Sequence, residues 1–381
     1  MVTPAAREAP SGELPLSGVR VGRVLGVPVL VSPSWLLFAA FVVISYSPAL
    51  REDFGTTRAY VGAGAFALLL LLSVLLHEIG HCVVARAFGL PVRSITITFL
   101  AGLTEITEPP QTPAREYAVA VAGPVVSLLL AGLGLASVQL FEPGSLPYLL
   151  ALVVAVSNGM VAGFNLLPGL PLDGGRVLRA AVWKVTGDPV RATRAAAWAG
   201  RLVALVGVPV LLLGVLPLLG LAEPSLTTVL FGALVAAFIY AGATASLRRA
   251  DYLERLPRAS VASLARPALE VSAGLPLAEA VRQAQEAGVH ALVVVDGSGR
   301  VQAVVSEAAV LATPEQRRPW VTVDTVARRV DDDDLLLAPT LTGEQLLQAM
   351  RSRPASEYVV VDPPRPVRVL VTADVAAAVT P

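Results

Sequence analysis

Leu68–Leu90 reads LLLLLSVLLHEIGHCVVARAFGL, and its reading decides the fold. At its centre stands His77-Glu78-Ile79-Gly80-His81, a complete H-E-x-x-H. Residues i and i+4 share one helix face, so His77 and His81 can aim two imidazoles at a single metal ion. Glu78 is offset from that pair. There it can take a proton from a water at the metal rather than bind the metal itself. The chain has three histidines, and two of them lie in this motif. The preceding run, Ala63–Leu76, is almost wholly apolar. Ionisable side chains in a helix of membrane grade are costly, and their presence marks a functional site. The plainer alternative is an interfacial helix end with Glu78 paired to Arg86.

Composition extends the argument to the whole chain. It has 381 residues, 55% hydrophobic and 15% charged, with mean hydropathy +0.68. Those values predict a multi-span α-helical membrane protein with a polar appendage. Basic and acidic residues balance at 29 each, so no nucleic-acid partner is implied. One cysteine excludes an internal disulfide framework.

Working outward, Met1–Gly18 is rich in Pro, Ala, Ser and Glu and reads as a disordered tail, without the apolar core of a signal peptide. Val19–Ser32 alternates and carries Gly and Pro, which predicts a strand pair at the membrane surface. Six runs near the roughly 20 residues needed to cross follow. They are Pro33–Pro48, Ala59–Phe88, Glu116–Leu140, Leu146–Asn165 with a polar-lined continuation to Val185, Ala195–Leu221 and Leu226–Leu247. Arginines concentrate in alternate connections: Arg86, Arg93 and Arg115; then Arg176, Arg179, Arg191 and Arg194; then Arg248 and Arg249. By the positive-inside rule both termini are expected in the cytoplasm of a plasma-membrane protein, with the H-E-x-x-H near the cytoplasmic end of the second span. Between the second and third runs, Arg93–Ile106 alternates like a β-hairpin bending near Ala101-Gly102. Its edge could hold an unwound peptide by strand addition, or the hairpin could be a surface feature with no such role.

Two histidines leave a catalytic zinc one protein ligand short, since such sites usually have three plus a water. Phe164–Arg176, FNLLPGLPLDGGR, offers Asp173 as the third, beside a Gly pair that allows close backbone approach. A helix N-cap is the alternative for Asp173. Asn165 on the same segment could donate to a developing oxyanion or a substrate carbonyl, or make a structural hydrogen bond.

With both motifs quoted, the chain resembles the site-2 proteases, M50-type zinc metalloproteases that cut peptide bonds within the membrane. The resemblance rests on His77-Glu78-x-x-His81, on Asn165-x-x-Pro168-x-x-Pro171-Leu172-Asp173-Gly174, on Ala122-Gly123-Pro124, and on Gly26-x-Pro28 with Pro33-Ser34-Trp35. It covers about Val19–Leu247. It implies one zinc held by His77, His81 and Asp173, and Glu78 as general base. It implies single-span membrane proteins as substrates, such as anti-sigma factors. Where the family often has Asn after the Gly-Pro of the third span, this chain has Ser127, to which no role is carried.

After a charged cytoplasmic linker, Arg248–Arg258, the segment Ala259–Pro381 repeats itself. Val261-Ala-Ser-Leu, Leu277-Ala-Glu-Ala-Val, Val293-Val-Val-Asp296 and Val301–Ser306 correspond to Val323-Asp-Thr-Val, Thr342-Gly-Glu-Gln-Leu, Val359-Val-Val-Asp362 and Val367–Thr372. Each half predicts a short helix, an amphipathic helix, an apolar strand ending in Asp, a turn and another strand. The pair resembles a tandem CBS-domain module. That resemblance implies regulation or homodimerisation, and often an adenine nucleotide bound through a Thr or Ser with an Asp three residues on. Here Ser306 is followed by Ala309, and Thr372 has Asp374 one residue too close, which puts nucleotide binding in doubt. Two other readings remain open at this stage: a CBS-gated membrane transporter, and a catalytically silent scaffold. Cys82 is expected to be a packing thiol, His290 a structural residue and not a ligand, and Asp331–Asp334 a solvated loop.

Overall fold

The structure is a computed structural model that describes residues 18–99, 101–218, 220, 225–330, 335–362 and 367–380. The expected N-terminal tail and the Asp331–Asp334 loop lie outside the described residues. The chain forms two compact units, Met1–Leu247 and Arg248–Pro381.

The first unit opens with a hairpin, β1 (Val19–Val24) and β2 (Val27–Val31), closed by Leu25 and Gly26 at positive φ. β2 leads through Ser32, whose side chain accepts from Ser34 N, into the helix α1 (Pro33–Ala87). A second hairpin follows, β3 (Val92–Ile97) and β4 (Gly102–Ile106). The two hairpins join into one sheet of order β1-β2-β3-β4, with β2 parallel to β3. Val27, Val29 and Val31 alternate inward and pack with Ile95, Ile97, Cys82 and Trp35 against the face of α1 that ends in the H-E-x-x-H. The alternation read from the sequence is thus the burial pattern of β2, whereas β1 is exposed along most of its length and β3 ends in four consecutive buried residues. The fusion of the two hairpins is an addition to it.

Five helices among the described residues are long and apolar enough to cross a membrane. Six runs were expected. The first two are merged, because α1 remains helical through Pro48 and most of the expected loop and leaves helical geometry only at Gly55 (φ 73°, ψ 164°). Only glycine enters that region without strain, so one residue suffices for the break. Its two arms fold back on each other, with Tyr46 edge-on to Phe66 at 5.2 Å and Trp35 among Leu70, Leu71 and Val74. Next come α2 (Pro113–Val138), α3 (Leu146–Asn165), α4 (Asp173–Thr186), α5 (Pro189–Leu218) and α6 (Leu226–Arg255). The continuation expected after the fourth run is a separate amphipathic helix, α4, set off by a loop at Pro168 and Pro171. α5 is α-helical to Leu202 and continues with π turns at Val203–Gly207 and Leu211–Val215.

The second unit is α/β. It comprises α7 (Val261–Leu264), β5 (Arg266–Ser272), α8 (Leu277–Ala287), β6 (Ala291–Val295), β7 (Val301–Val305), α9 (Glu307–Ala312), β8 (Ala327–Arg329), α10 (Gly343–Ser352), β9 (Glu357–Val360), β10 (Arg368–Val371) and α11 (Thr372–Val379). The repeat is present, with one strand per half, β5 and β8, beyond those expected. The six strands run β8-β7-β6-β5-β10-β9.

Candidate metal centre

The sequence brings His77 and His81 together by helix periodicity, and the structure adds Asp173 from a point 96 residues further along the chain. His77 Nε2 and His81 Nε2 are 3.2 Å apart, and Asp173 Oδ2 is 3.2 Å from each. All three side chains are buried, at 4%, 4% and 8% exposure. Ligand bonds of 2.0–2.1 Å at tetrahedral angles separate zinc donors by about 3.3 Å. An equilateral triangle with 3.2 Å sides is therefore the size that a zinc ion needs.

The tautomers agree. His81 Nδ1 lies 2.7 Å from the carbonyl oxygen of Val119, which can only accept, so Nδ1 carries the proton and Nε2 keeps its lone pair for the triangle. His77 Nδ1 is 2.9 Å from Ser127 Oγ, a hydroxyl able to accept in the same way.

Helix α2 runs behind the triangle. Glu116, Val119, Gly123 and Ser127 are spaced three and four apart, share one buried face, and each touches the site or its supports. A Cβ on Gly123 would stand 2.3 Å from His81 Nε2 and 2.5 Å from His77 Nε2, so only glycine lets the two imidazoles meet there. Glu116, 2% exposed, binds Arg176 Nε at 3.1 Å and Arg179 Nη1 at 3.0 Å through its Oε1. Both arginines lie on α4, whose first residue is Asp173. The Gly174-Gly175 pair allows the close approach read from the sequence: a Cβ on either would collide with the backbone of Leu166 or Gly169 at 2.2–2.3 Å. The loop that delivers Asp173 is tied on its other side by Leu170 N donating to Ala196 O at 3.0 Å. A carboxylate in the first turn of α4 also sits at the favourable end of that helix.

Glu78, 5% exposed, has a carboxylate oxygen within 4.8 Å of a ligand nitrogen on each histidine. It is held from the sheet: Thr104 Oγ1 on β4 donates to Glu78 Oε2 at 2.6 Å and lies 3.1 Å from the Glu78 carbonyl. Glu78 is therefore not paired with Arg86, which instead donates to the carbonyl of Leu25. Glu105, also on β4, pairs with Arg93 at 3.3 Å and accepts from Ser94 Oγ at 3.1 Å.

The arrangement does not gather Asn165 into this network. It is the last residue of α3, half-buried, and its amide makes no hydrogen bond among the described residues. The fully buried amide of α3 is Asn158, which donates to Ser73 Oγ and Val154 O at 2.9 Å each. Thr104, Glu116 and the Val119 carbonyl were not read from the sequence, and Ser127 was named there only as standing where the family often has Asn, with no role carried to it. Glu116 left a signal as an acid at the head of an apolar run.

Comparison with known proteins agrees with this geometry. The model of peptidase family M50 matches residues 65–145 and 142–208, which hold all four residues of the centre. A putative zinc metalloprotease of Synechocystis is 36% identical over 249 residues, 64% of this chain and 64% of that protein. The chain thus spans somewhat less than two thirds of that relative's length. A second putative zinc metalloprotease, from Methanocaldococcus jannaschii, is 31% identical over 133 residues, 30% of this chain and 70% of its own. The solved site-2 protease from the same archaeon is 29% identical, covering 61% of this chain and 95% of that one with a TM-score of 0.43. Solved CBS-domain structures are similar to the C-terminal part, for example that of a bacterial CNNM/CorC family Mg2+ transporter at 14% identity, 35% and 83% coverage and a TM-score of 0.28. With the histidine pair, the glutamate and the later aspartate inside the matched residues, the chain belongs to peptidase family M50.

Proposed function

We propose that this chain is a zinc-dependent intramembrane endopeptidase that cleaves transmembrane segments of single-span membrane proteins, anti-sigma factors among them. The observation that carries the reading is the buried 3.2 Å donor triangle of His77, His81 and Asp173 with Glu78 beside it. In this reading those three residues hold one zinc. Bound there, zinc would act as a Lewis acid and would lower the pKa of its water to about 7. Glu78 accepts the proton of the attacking water and hands it to the leaving amine. Burial of the four side chains excludes bulk water and strengthens each electrostatic contact. The unbonded amide of Asn165 is a donor available to the substrate carbonyl. Among the described residues β4 pairs only with β3, so its outer edge can take an unwound substrate by strand addition.

The two arms of α1 and the four later spans make six crossings with both ends cytoplasmic, a topology supported by the arginine distribution. The second unit serves as a CBS-type regulatory or dimerisation module. The groups that would handle a nucleotide are engaged internally: Thr372 Oγ1 donates to Ala355 O at 2.6 Å, Ser306 Oγ to Glu357 at 3.4 Å, and Asp374 pairs with Arg266. That favours dimerisation over nucleotide binding.

The test is zinc content together with cleavage of a single-span reporter whose transmembrane segment carries a Gly-Pro break. Wild type is expected to hold about one zinc and cut the reporter. His77→Ala/His81→Ala and Asp173→Ala are expected to lose the metal. Glu78→Gln is expected to keep it and lose cleavage by about 10³-fold or more. Absence of zinc from wild type after reconstitution would overturn the reading.

A further inference from the structure

We infer that β4 is the positioning element for Glu78, with Thr104 tethering its carboxylate and Gly102 providing the surface on which it rests. The inference rests on the protease reading above and assigns the residues that aim its base. Two observations carry it. Thr104 Oγ1 donates to Glu78 Oε2 at 2.6 Å, a short, charge-assisted contact inside a buried site. Two residues earlier, on the same strand face, a Cβ on Gly102 would stand 2.3 Å from Glu78 Oε1 and 2.5 Å from its Cδ. The carboxylate therefore lies flat against β4, one oxygen bound and the other directly over the glycine.

A glutamate side chain has three rotatable bonds, and fixing them carries an entropic cost. The helix that carries Glu78 fixes none beyond the first. The metal triangle does not fix them either, because its ion is held by other side chains. The tether on β4 supplies that constraint and leaves Oε1 as the free acceptor. Thr104 is thus a positioning residue: it acts through Glu78 and not on the reacting atoms. The threonine hydroxyl has one proton and two acceptors in reach, the carboxylate at 2.6 Å and the Glu78 carbonyl at 3.1 Å. The shorter contact to a charged oxygen is the one it makes.

Two substitutions move the carboxylate in opposite ways. Thr104→Val removes the tether and keeps the shape. Gly102→Ala pushes on the far end of a flexible side chain, so the fold accommodates it while the carboxylate is displaced. For both, zinc content is expected to stay at the wild-type level. The kcat is expected to fall about 10- to 100-fold with little change in KM, and Thr104→Ser is expected to restore most of it.

A second readout does not use turnover. Acetohydroxamate chelates a metal through two oxygens and keeps a proton that needs an acceptor. Its affinity for the zinc-loaded protein is expected to weaken about tenfold in Thr104→Val. In a Glu78→Ala background the same change is expected to have less than about a twofold effect. Equal weakening in both backgrounds, loss of zinc in Thr104→Val, or no effect of Thr104→Val on hydroxamate affinity would each overturn the inference. If wild type binds zinc and hydroxamate yet cuts nothing, the protease reading fails while the hydroxamate cycle still decides the role of Thr104.

Discussion

Gly123 gives the sharpest contrast at the scale of single residues. A methyl group there would meet the two metal-facing imidazole nitrogens at 2.3 and 2.5 Å. Those rings are pinned through their other nitrogens to Val119 O and Ser127 Oγ, so they cannot swing clear. Gly123→Ala is therefore expected to lose zinc, measured by metal analysis of the purified protein. Gly132, nine residues on in the same helix, has nothing within 4 Å of where its Cβ would be. Gly132→Ala is expected to keep zinc and to raise stability by up to about 1 kcal/mol through helix propensity. The meeting of His77 and His81 was legible because H-E-x-x-H depends on helix periodicity and residue type alone. Its supports were not. Val119 takes part through a carbonyl that every residue has, and Thr104 and Ser127 reach the motif across 26 and 50 residues of chain. For Asn165 the sequence left a substrate-facing donor and a structural hydrogen bond open, and among the described residues the bonded, buried amide of α3 is Asn158, two turns earlier.

Elements carry the next level of the design, and α2 is the one that joins the parts. One face of it bonds His81 and His77 and, at Glu116, grips α4. Removing one partner of a fully buried ion pair costs about 3–5 kcal/mol. Arg176 and Arg179 keep 25% and 19% of their side chains exposed and can partly rehydrate, so the cost here is nearer 2 kcal/mol. Glu116→Gln is expected to lower stability by about that amount, seen as a lower thermal midpoint, and to speed zinc loss to a chelator, because α4 starts at Asp173. As a control, the exposed pair Arg191–Asp188 is expected to leave stability almost unchanged when Arg191 becomes Ala. An equal effect at both sites would remove the coupling argued for α2. The apolar runs and both hairpins were legible at this scale, since each is a local pattern of period 3.6 or 2. The parallel pairing of β2 with β3 was not, because it joins Val29 to Ile95 across the whole of α1. Nor was the continuity of α1: the loop expected between its arms has a single strong breaker, Gly55.

Across the whole molecule, the C-terminal repeat was legible as two similar halves, and what escaped the reading is how they depend on each other. β5 of the first half pairs with β10 of the second, and β8 of the second pairs with β7 of the first. The cores are exchanged in the same way. Val261 of the first half is fully buried among Leu346, Tyr358 and Leu370 of the second, and Val323 of the second among Val271, Ala280 and Val294 of the first. A third cluster mixes Val293 and Val304 with Val359 and Val369. A half expressed alone would leave a strand edge and part of its core unpartnered. Residues 248–381 are therefore expected to fold as one unit with a single cooperative unfolding transition, and residues 259–322 alone to show none. Val261→Ala and Val323→Ala should each cost the same single transition about 2 kcal/mol, since each empties a filled site in a core the other half completes. Calorimetry of the 248–381 fragment decides this. A trace in which either substitution splits off one half, with the other melting at its original midpoint, would mean that the halves are independent. A common shift of one peak is what exchanged cores require, and in that case any signal that loosens one half loosens both.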